Sequence, residues 1–414
     1  AVVFSVAIWI ALRASSKKEV SGAFNLKLFQ VVLPRVQPKE PFTLEQFREK
    51  IAVMEKLYAN LNEVVPKGWF AKERPVFALE LTVPHIGEEI IFYIAVPKLA
   101  SHAIAKIIEG VYPDAQVIPS KDYNIFNPEG SSVGLTIDLA KNDFLPLRTY
   151  RALEADPLRE LSNAFSRLLP EGEGAAFQLV IRPAPERLSK EILSFAKSIF
   201  LKGGFRKTGL FQEVMGDILG SPKSPEKKAE EKKLTPKEEE MVRAVENKGS
   251  KPLFMVNLRL IASAPTEAKA REILRDISAP FFQFEDPTLN KMVIRELHGS
   301  PLKDLFYRFS FRIFSPYEAM LLSSEELTSL YHFPNVPLET PKLKVAKARE
   351  ASPPANLPRE GVLLGYNVFR GAETPVRLTR NDRLRHLYIV GQTGTGKTIF
   401  MENMIRQDME AGHG

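Results

Sequence analysis

Close to the carboxyl end of this chain of 414 residues, Gly391-Gln392-Thr393-Gly394-Thr395-Gly396-Lys397-Thr398 brings together glycines, an ammonium group and hydroxyls. The spacing Gly-x4-Gly-Lys-Thr suits one kind of chemistry, the wrapping of a polyphosphate. Gly391, Gly394 and Gly396 allow the backbone to turn tightly and aim its N–H groups inward. Lys397 carries a compact positive charge to the β- and γ-phosphates, and Thr398 offers a hydroxyl to the Mg2+ that bridges them. All eight residues, 391 to 398, are therefore candidate contacts for ATP. Lys397 and Thr398 are the candidate catalytic residues, and Thr398 is the candidate metal contact.

Such a loop works only between a strand that ends at its first glycine and a helix that starts at its last. "LRHLYIV" (384–390) is the nearly continuous apolar run that a buried parallel strand requires. After the loop, Ile399, Met401, Met404, Ile405 and Met409 recur at helical spacing. Upstream, "GVLLGYNVF" and "TPVRLT" alternate as a small hairpin.

No other constellation is as specific. His85, His102, His298, His332, His386 and His413 lack metal-ligand spacing and read as surface or packing residues. Glu88–Glu89 and the scattered acids form no catalytic pair, and "GGFRKTG" (203–209) reads as a plain loop. The chain has no cysteine, which excludes disulfide frameworks and thiolate metal sites. A net charge of +7 permits an anionic partner without requiring one.

The rest of the sequence reads as α+β. "VFALELTV" (76–83) and "IIFYIAV" (90–96) predict a hairpin, and Thr43 with Gln46 predicts a capped helix before it. Further strand–helix alternation predicts a first αβ domain over 24–220. Lys and Glu interleave over 221–251, which predicts a solvated linker with some helical content. A second αβ section is expected over 252–334, with "DLFYRFSFRIF" (304–314) as a strand and a Ser-capped helix in "LSSEELTSLYHFP". A Pro-rich linker over 335–360 then leads to the phosphate-loop region, 361–414. The split strand–helix–strand pattern of both αβ sections predicts ferredoxin-like sandwiches.

The chain opens without Met on "AVVFSVAIWIAL", followed by Arg13, Lys17 and Lys18. Twelve helical residues cover roughly 18 Å of a hydrocarbon core about 30 Å thick. Residues 1–18 are therefore expected to be the latter part of a transmembrane helix, with the basic flank on the cytoplasmic side. With 17 residues after Lys397, the phosphate-loop domain is expected to be a truncated start of a P-loop α/β ATPase.

The phosphate-loop region resembles the FtsK–HerA class of DNA-pumping motors, most closely the type IV secretion and conjugation ATPases with their TraG-like coupling proteins. Asp382, Arg383, Arg385 and His386, the loop itself, and Asn403 with Gln407-Asp408 carry the likeness. "SSEELTSLYHFP" before a Pro-rich linker adds to it. The resemblance implies an ATPase of the inner or cytoplasmic membrane, hexameric, with most of the chain cytoplasmic. It would work with other secretion-system subunits to move DNA or secreted protein. The acidic strand, catalytic glutamate and arginine finger of that family have no counterpart in the sequence. Two alternatives stay open: a non-catalytic membrane-associated scaffold with a nucleotide-binding loop, and a cytosolic HerA-like DNA-processing ATPase.

Overall fold

Long apolar strands need cover on both faces, and this chain meets that need with one wide sheet. The computed structural model describes residues 25–34, 42–64, 74–202, 235–335, 340, 342–346, 351–354, 356–369, 372–392 and 394–413. It divides into two units, the first ending at Ala346 and the second beginning at Lys347. The expected transmembrane remnant, 1–18, lies outside the described residues. Among the described residues, no helix is long and apolar enough to cross a membrane.

The strands of the first unit are β1 (Leu26–Val32), β2 (Phe77–Val83), β3 (Ile91–Pro97), β4 (Gln116–Pro119), β5 (Ser131–Leu139), β6 (Gly174–Pro183), β7 (Leu253–Ala264), β8 (Met292–Leu297) and β9 (Met320–Ser323). They form one sheet in the order β4-β1-β3-β2-β6-β7-β5-β8, with β9 also on β7. Every pair is antiparallel. The helices are α1 (Leu44–Glu63), α2 (Ser101–Val111), α3 (Pro157–Ser166), α4 (Glu186–Lys202), α5 (Pro236–Ser250), α6 (Glu267–Ser278), α7 (Gly299–Ser310) and α8 (Ser324–Leu330).

The topology repeats. The chain runs β1-α1-β2-β3-α2-β4 and then β5-α3-β6-β7-α6-β8, with α4 and α5 inserted between β6 and β7. In each half the third strand lies between the first and second, and the fourth flanks the first. β2 and β6 zip the halves together, from Phe77 opposite Ile181 to Val83 opposite Ala175. The α+β class therefore stands, but the expected partition does not follow strand pairing. The second half begins at β5, well before residue 252, and shares a continuous sheet with the first.

Three local readings change for identifiable reasons. The expected charged linker extends to 251, yet its helical part, α5 over 236–250, capped by Thr235 and Glu238, is packed rather than solvated. Its Lys/Glu-rich composition conceals a buried stripe of Val242, Val245 and Lys248. Residues 304–314 were expected as a strand, but α7 occupies Gly299–Ser310 and buries Leu305 and Phe309, four positions apart. The Pro-rich linker begins as part of the first unit: Lys344 N–H donates to Ile90 O at 3.0 Å and Ala346 N–H to Leu33 O at 3.0 Å.

Local signals elsewhere act as read. Thr43 and Gln46 form a reciprocal capping box, with Gln46 N–H on Thr43 Oγ1 at 3.3 Å and Thr43 N–H on Gln46 Oε1 at 3.1 Å. The helix so started buries Ile51, Met54, Leu57, Tyr58 and Leu61, at about 1.5–3 kcal/mol for each large apolar side chain.

The two faces of the sheet differ. One is apolar, with Phe254, Val256, Leu258 and Leu260 of β7 in the main core. The other carries a polar row in register across five strands: Tyr93, Glu80, Gln178, Arg259 and Thr136. Arg259 donates to the carbonyls of Arg308 (3.1 Å) and Ile313 (2.6 Å), and Gln178 Nε2 donates to Phe309 O (3.0 Å). Side chains of the sheet thus bind the backbone where the chain leaves α7, adding to the bonds that Arg308 O and Phe309 O accept from the N–H groups of Ile313 and Arg312. Burial, reinforced by the nearby Arg308 charge, pushes the Arg259 guanidinium down to about 10, so it remains a cation at neutral pH.

Candidate phosphate-binding loop

In the second unit, β10 (Val362–Phe369) and β11 (Ala372–Leu378) form the expected hairpin, and α9 spans Lys397–Glu410. Gly396 is the N-cap of α9 with φ +88°, a left-handed conformation that costs a residue with a Cβ. Gly394 shares it at φ +83°. At Gly391 the need is space, since a Cβ there would lie 2.7 Å from Thr395 Oγ1. The loop closes on itself through Thr395 Oγ1 donating to Gln392 O at 2.7 Å. Lys397 Nζ donates to Gly391 O at 2.5 Å and Gln392 O at 2.7 Å. The ammonium and the open N–H groups of the first turn of α9 therefore converge on the loop backbone.

This arrangement brings Gly391, Gln392, Gly394, Thr395, Gly396 and Lys397 into one loop, with Thr398 exposed on the first turn of α9. Thr393 lies outside the described residues. An ammonium beside the N-terminus of a helix is a donor set that fits a phosphate chain. The Thr398 hydroxyl fits a hard, oxygen-seeking cation such as Mg2+.

The run 384–390 departs from expectation. No strand pairs with it among the described residues, and Tyr388 is 90% exposed. A buried parallel strand draws its stability from ladders and cover on both sides, and the second unit pairs only β10 with β11. Other contacts hold the loop's two arms together instead. The Arg383 guanidinium, just before the run, is ion-paired to Asp408 on α9. Next to Asp408, the Gln407 amide accepts from Leu363 N–H at 2.9 Å and donates to Leu363 O at 3.0 Å, binding α9 to β10.

The bond from Arg383 holds the Asp408 carboxyl below the ordinary carboxylate range. A depressed folded-state value means that the pairing contributes above the unfolded value, near 4, and is lost as pH falls through the folded one. Asp408→Asn should therefore speed amide exchange in the last turns of α9 at pH 7, and the difference from the parent protein should shrink in acid. The swapped pair Arg383→Asp with Asp408→Arg should restore protection.

Sequence reading missed the buried charges of the first unit. Glu326 accepts from Lys248 Nζ (3.1 Å), Leu147 N–H (2.9 Å), and Ser323 N–H and Oγ–H (2.8 Å each). Lys248 and Glu326 are each 1% exposed. Beside them, Glu325 meets Thr149, Arg151 and Lys251. Burial pushes the Glu325 carboxyl up, but bonds from Lys251 and Thr149 and the Lys251 and Arg151 charges outweigh it, so the net shift is downward. The S-x-x-E of the Ser323 cap was the only local trace of this cluster. Its charges satisfy one another, so it reads as a structural hub. An open depression of about 490 Å³ beside it, lined by Arg48, Glu49 and Arg151 among others, mixes both signs of charge and points to no ligand class.

No curated protein is significantly similar to the chain. One protein family matches residues 44–346, and the match stops at Ala346, where the first structural unit also ends. The candidate phosphate loop, 391–398, lies outside that match. The matched span covers about three quarters of the chain, and the protein belongs to the family described as a domain of unknown function, DUF8128.

Proposed function

We propose that this protein is the ATP-binding, membrane-attached subunit of a motor resembling those of type IV secretion and conjugation, coupling ATP hydrolysis to movement of DNA or protein. One observation carries the reading: left-handed Gly396, the N-terminus of α9 and the Lys397 ammonium converge in a single loop. Gly391 to Gly396 would cradle the phosphates through backbone N–H groups, Lys397 would neutralise the β- and γ-phosphates, and Thr398 would hold Mg2+. Bound MgATP would supply the phosphoanhydride bond whose cleavage drives transport.

On this reading the β-α-β-β-α-β halves of the first unit are ferredoxin-like sections forming the non-motor body. The motor assembles as a homo-oligomer, by resemblance a hexamer, at the inner or cytoplasmic membrane with most of its mass cytoplasmic. It works there with other secretion-system subunits. The test is ATP turnover by the protein purified from membranes, with and without DNA. DNA-stimulated turnover supports the motor. Nucleotide binding without turnover under any condition replaces it with a nucleotide-binding scaffold.

A further inference from the structure

We infer that one corner of the first unit, where β1, β3 and β4 meet the start of α2, is a docking surface for an anionic lipid bilayer. Strand register gathers this corner. Leu26 lies opposite Pro97, Lys98 N–H donates to Asn25 O at 2.8 Å, and Ser120 N–H donates to Leu28 O at 3.0 Å. Lys27, Lys98 and Lys121 therefore emerge at the same end of neighbouring strands, all exposed. Leu99, between Lys98 and α2, is 97% exposed. His102 and Lys106 follow it at three and seven positions, on the same exposed side of the helix that begins there.

The lysines of this corner are not neutralised by acids, and Lys27 Nζ lies over the Phe29 ring at 5.1 Å, a contact that leaves its charge in place. Among the described residues, none of Lys27, Lys98, Lys106 and Lys121 has a carboxylate partner, whereas the neighbouring Asp122 is neutralised by Arg312. The opposite end of the same strands is the contrast. It also exposes an apolar residue, Ile86, but its lysines are spent: Lys342 faces Glu88 at 4.0 Å and Lys344 pairs with Glu89 at 2.9 Å. Free lysines ringing a protruding leucine match a surface of anionic headgroups over hydrocarbon.

Nucleic acid is the competing partner for basic charge. Among the described residues the corner offers it no exposed aromatic ring for stacking, and a protruding leucine gains nothing from a phosphate backbone. The sequence adds continuity. The apolar run 1–12 and its basic flank lead directly into Asn25, at this end of β1. The inference rests on the membrane attachment proposed above and adds to it a defined face of the folded body.

The chain has no cysteine, so Leu99→Cys and Ile86→Cys can each carry a single environment-sensitive dye on the full chain. Vesicles would contain quencher-bearing phosphatidylcholine with or without about 30% phosphatidylserine. The expected result is strong quenching at position 99, weak quenching at 86, and a preference for anionic vesicles. That preference should fall roughly fivefold for each of Lys27, Lys98 and Lys121 changed to glutamate. Taking the ratio of anionic to neutral vesicles cancels the apolar contribution of the N-terminus, and comparing each lysine variant with the parent cancels that of its basic flank, Arg13, Lys17 and Lys18. Binding to both vesicle types with equal quenching at 99 and 86 would overturn the docking face and leave membrane attachment standing. No vesicle binding at all would overturn both. Dye responses to duplex DNA in place of anionic vesicles would reassign the corner to nucleic acid.

Discussion

In the full-length protein, Lys397→Ala is expected to weaken binding of magnesium-ATP by at least about tenfold to a hundredfold and to abolish turnover, while the protein keeps its melting behaviour. The size follows from losing charge-assisted hydrogen bonds, each about 1.5–3 kcal/mol. Stability should be spared because Lys397 opens α9 at its N-terminus, and its Nζ bonds the loop carbonyls Gly391 O and Gln392 O rather than the core. Lys397→Arg does not rescue, since a planar fork cannot occupy the place of a compact ammonium. Titration of a fluorescent ATP analogue, run beside circular-dichroism melts of each variant, reads both halves of the result. A variant that unfolds would place Lys397 in a packing role. One that binds as tightly as the parent would remove it from the site.

The largest stability effect is expected at the Lys248–Glu326 pair. Glu326→Gln keeps the shape of the side chain but leaves a buried ammonium without its counter-charge, at a cost of about 3–5 kcal/mol. Lys248→Met alone should cost a similar amount, because the Glu326 carboxylate stays buried. The double variant should recover much of the loss, since two apolar or neutral groups at this position need no desolvated charge. Urea denaturation of the parent, both single variants and the double variant closes the cycle. Additive single effects, with no recovery, would mean that the two side chains do not share one interaction. The position matters beyond its own bonds: Glu326 belongs to the Ser323 capping box and holds Leu147 N–H, so it ties α8 to both α5 and the chain before α3.

What could be read in the sequence was what short stretches decide among themselves. The hairpin of β2 and β3, the Thr43 cap and the Ser323 cap each depend on residues a few positions apart, and their signals were complete in the sequence. The glycine turn into α9 was legible for the same reason, since Gly394, Gly396 and the start of the helix lie within a few positions of one another. The helical content of α5 was legible but its burial was not, because its buried face includes Lys248, whose partner Glu326 lies 78 positions away. Without that partner in view, a lysine beside glutamates reads as solvated. Helix α7 was misread because aromatic residues in "DLFYRFSF" favour strands when counted, while Leu305 and Phe309 fit a helix packed beneath the polar row. The joining of both αβ halves into one sheet rests on β2 finding β6 about a hundred positions away, and no local pattern encodes that. The apolar run 384–390 showed the reverse failing: its strand-like pattern was clear, but a pattern cannot supply the neighbours a strand requires.

The measurement that tests the central claim most directly is calorimetric titration of the intact protein with a non-hydrolysable ATP analogue, with and without magnesium. The account predicts saturable one-to-one binding that strengthens when magnesium is present, weakens in Thr398→Ala, and disappears in Lys397→Ala. Absence of heat from the parent protein at every magnesium concentration would contradict it, and the loop would then be a glycine-rich turn ahead of α9.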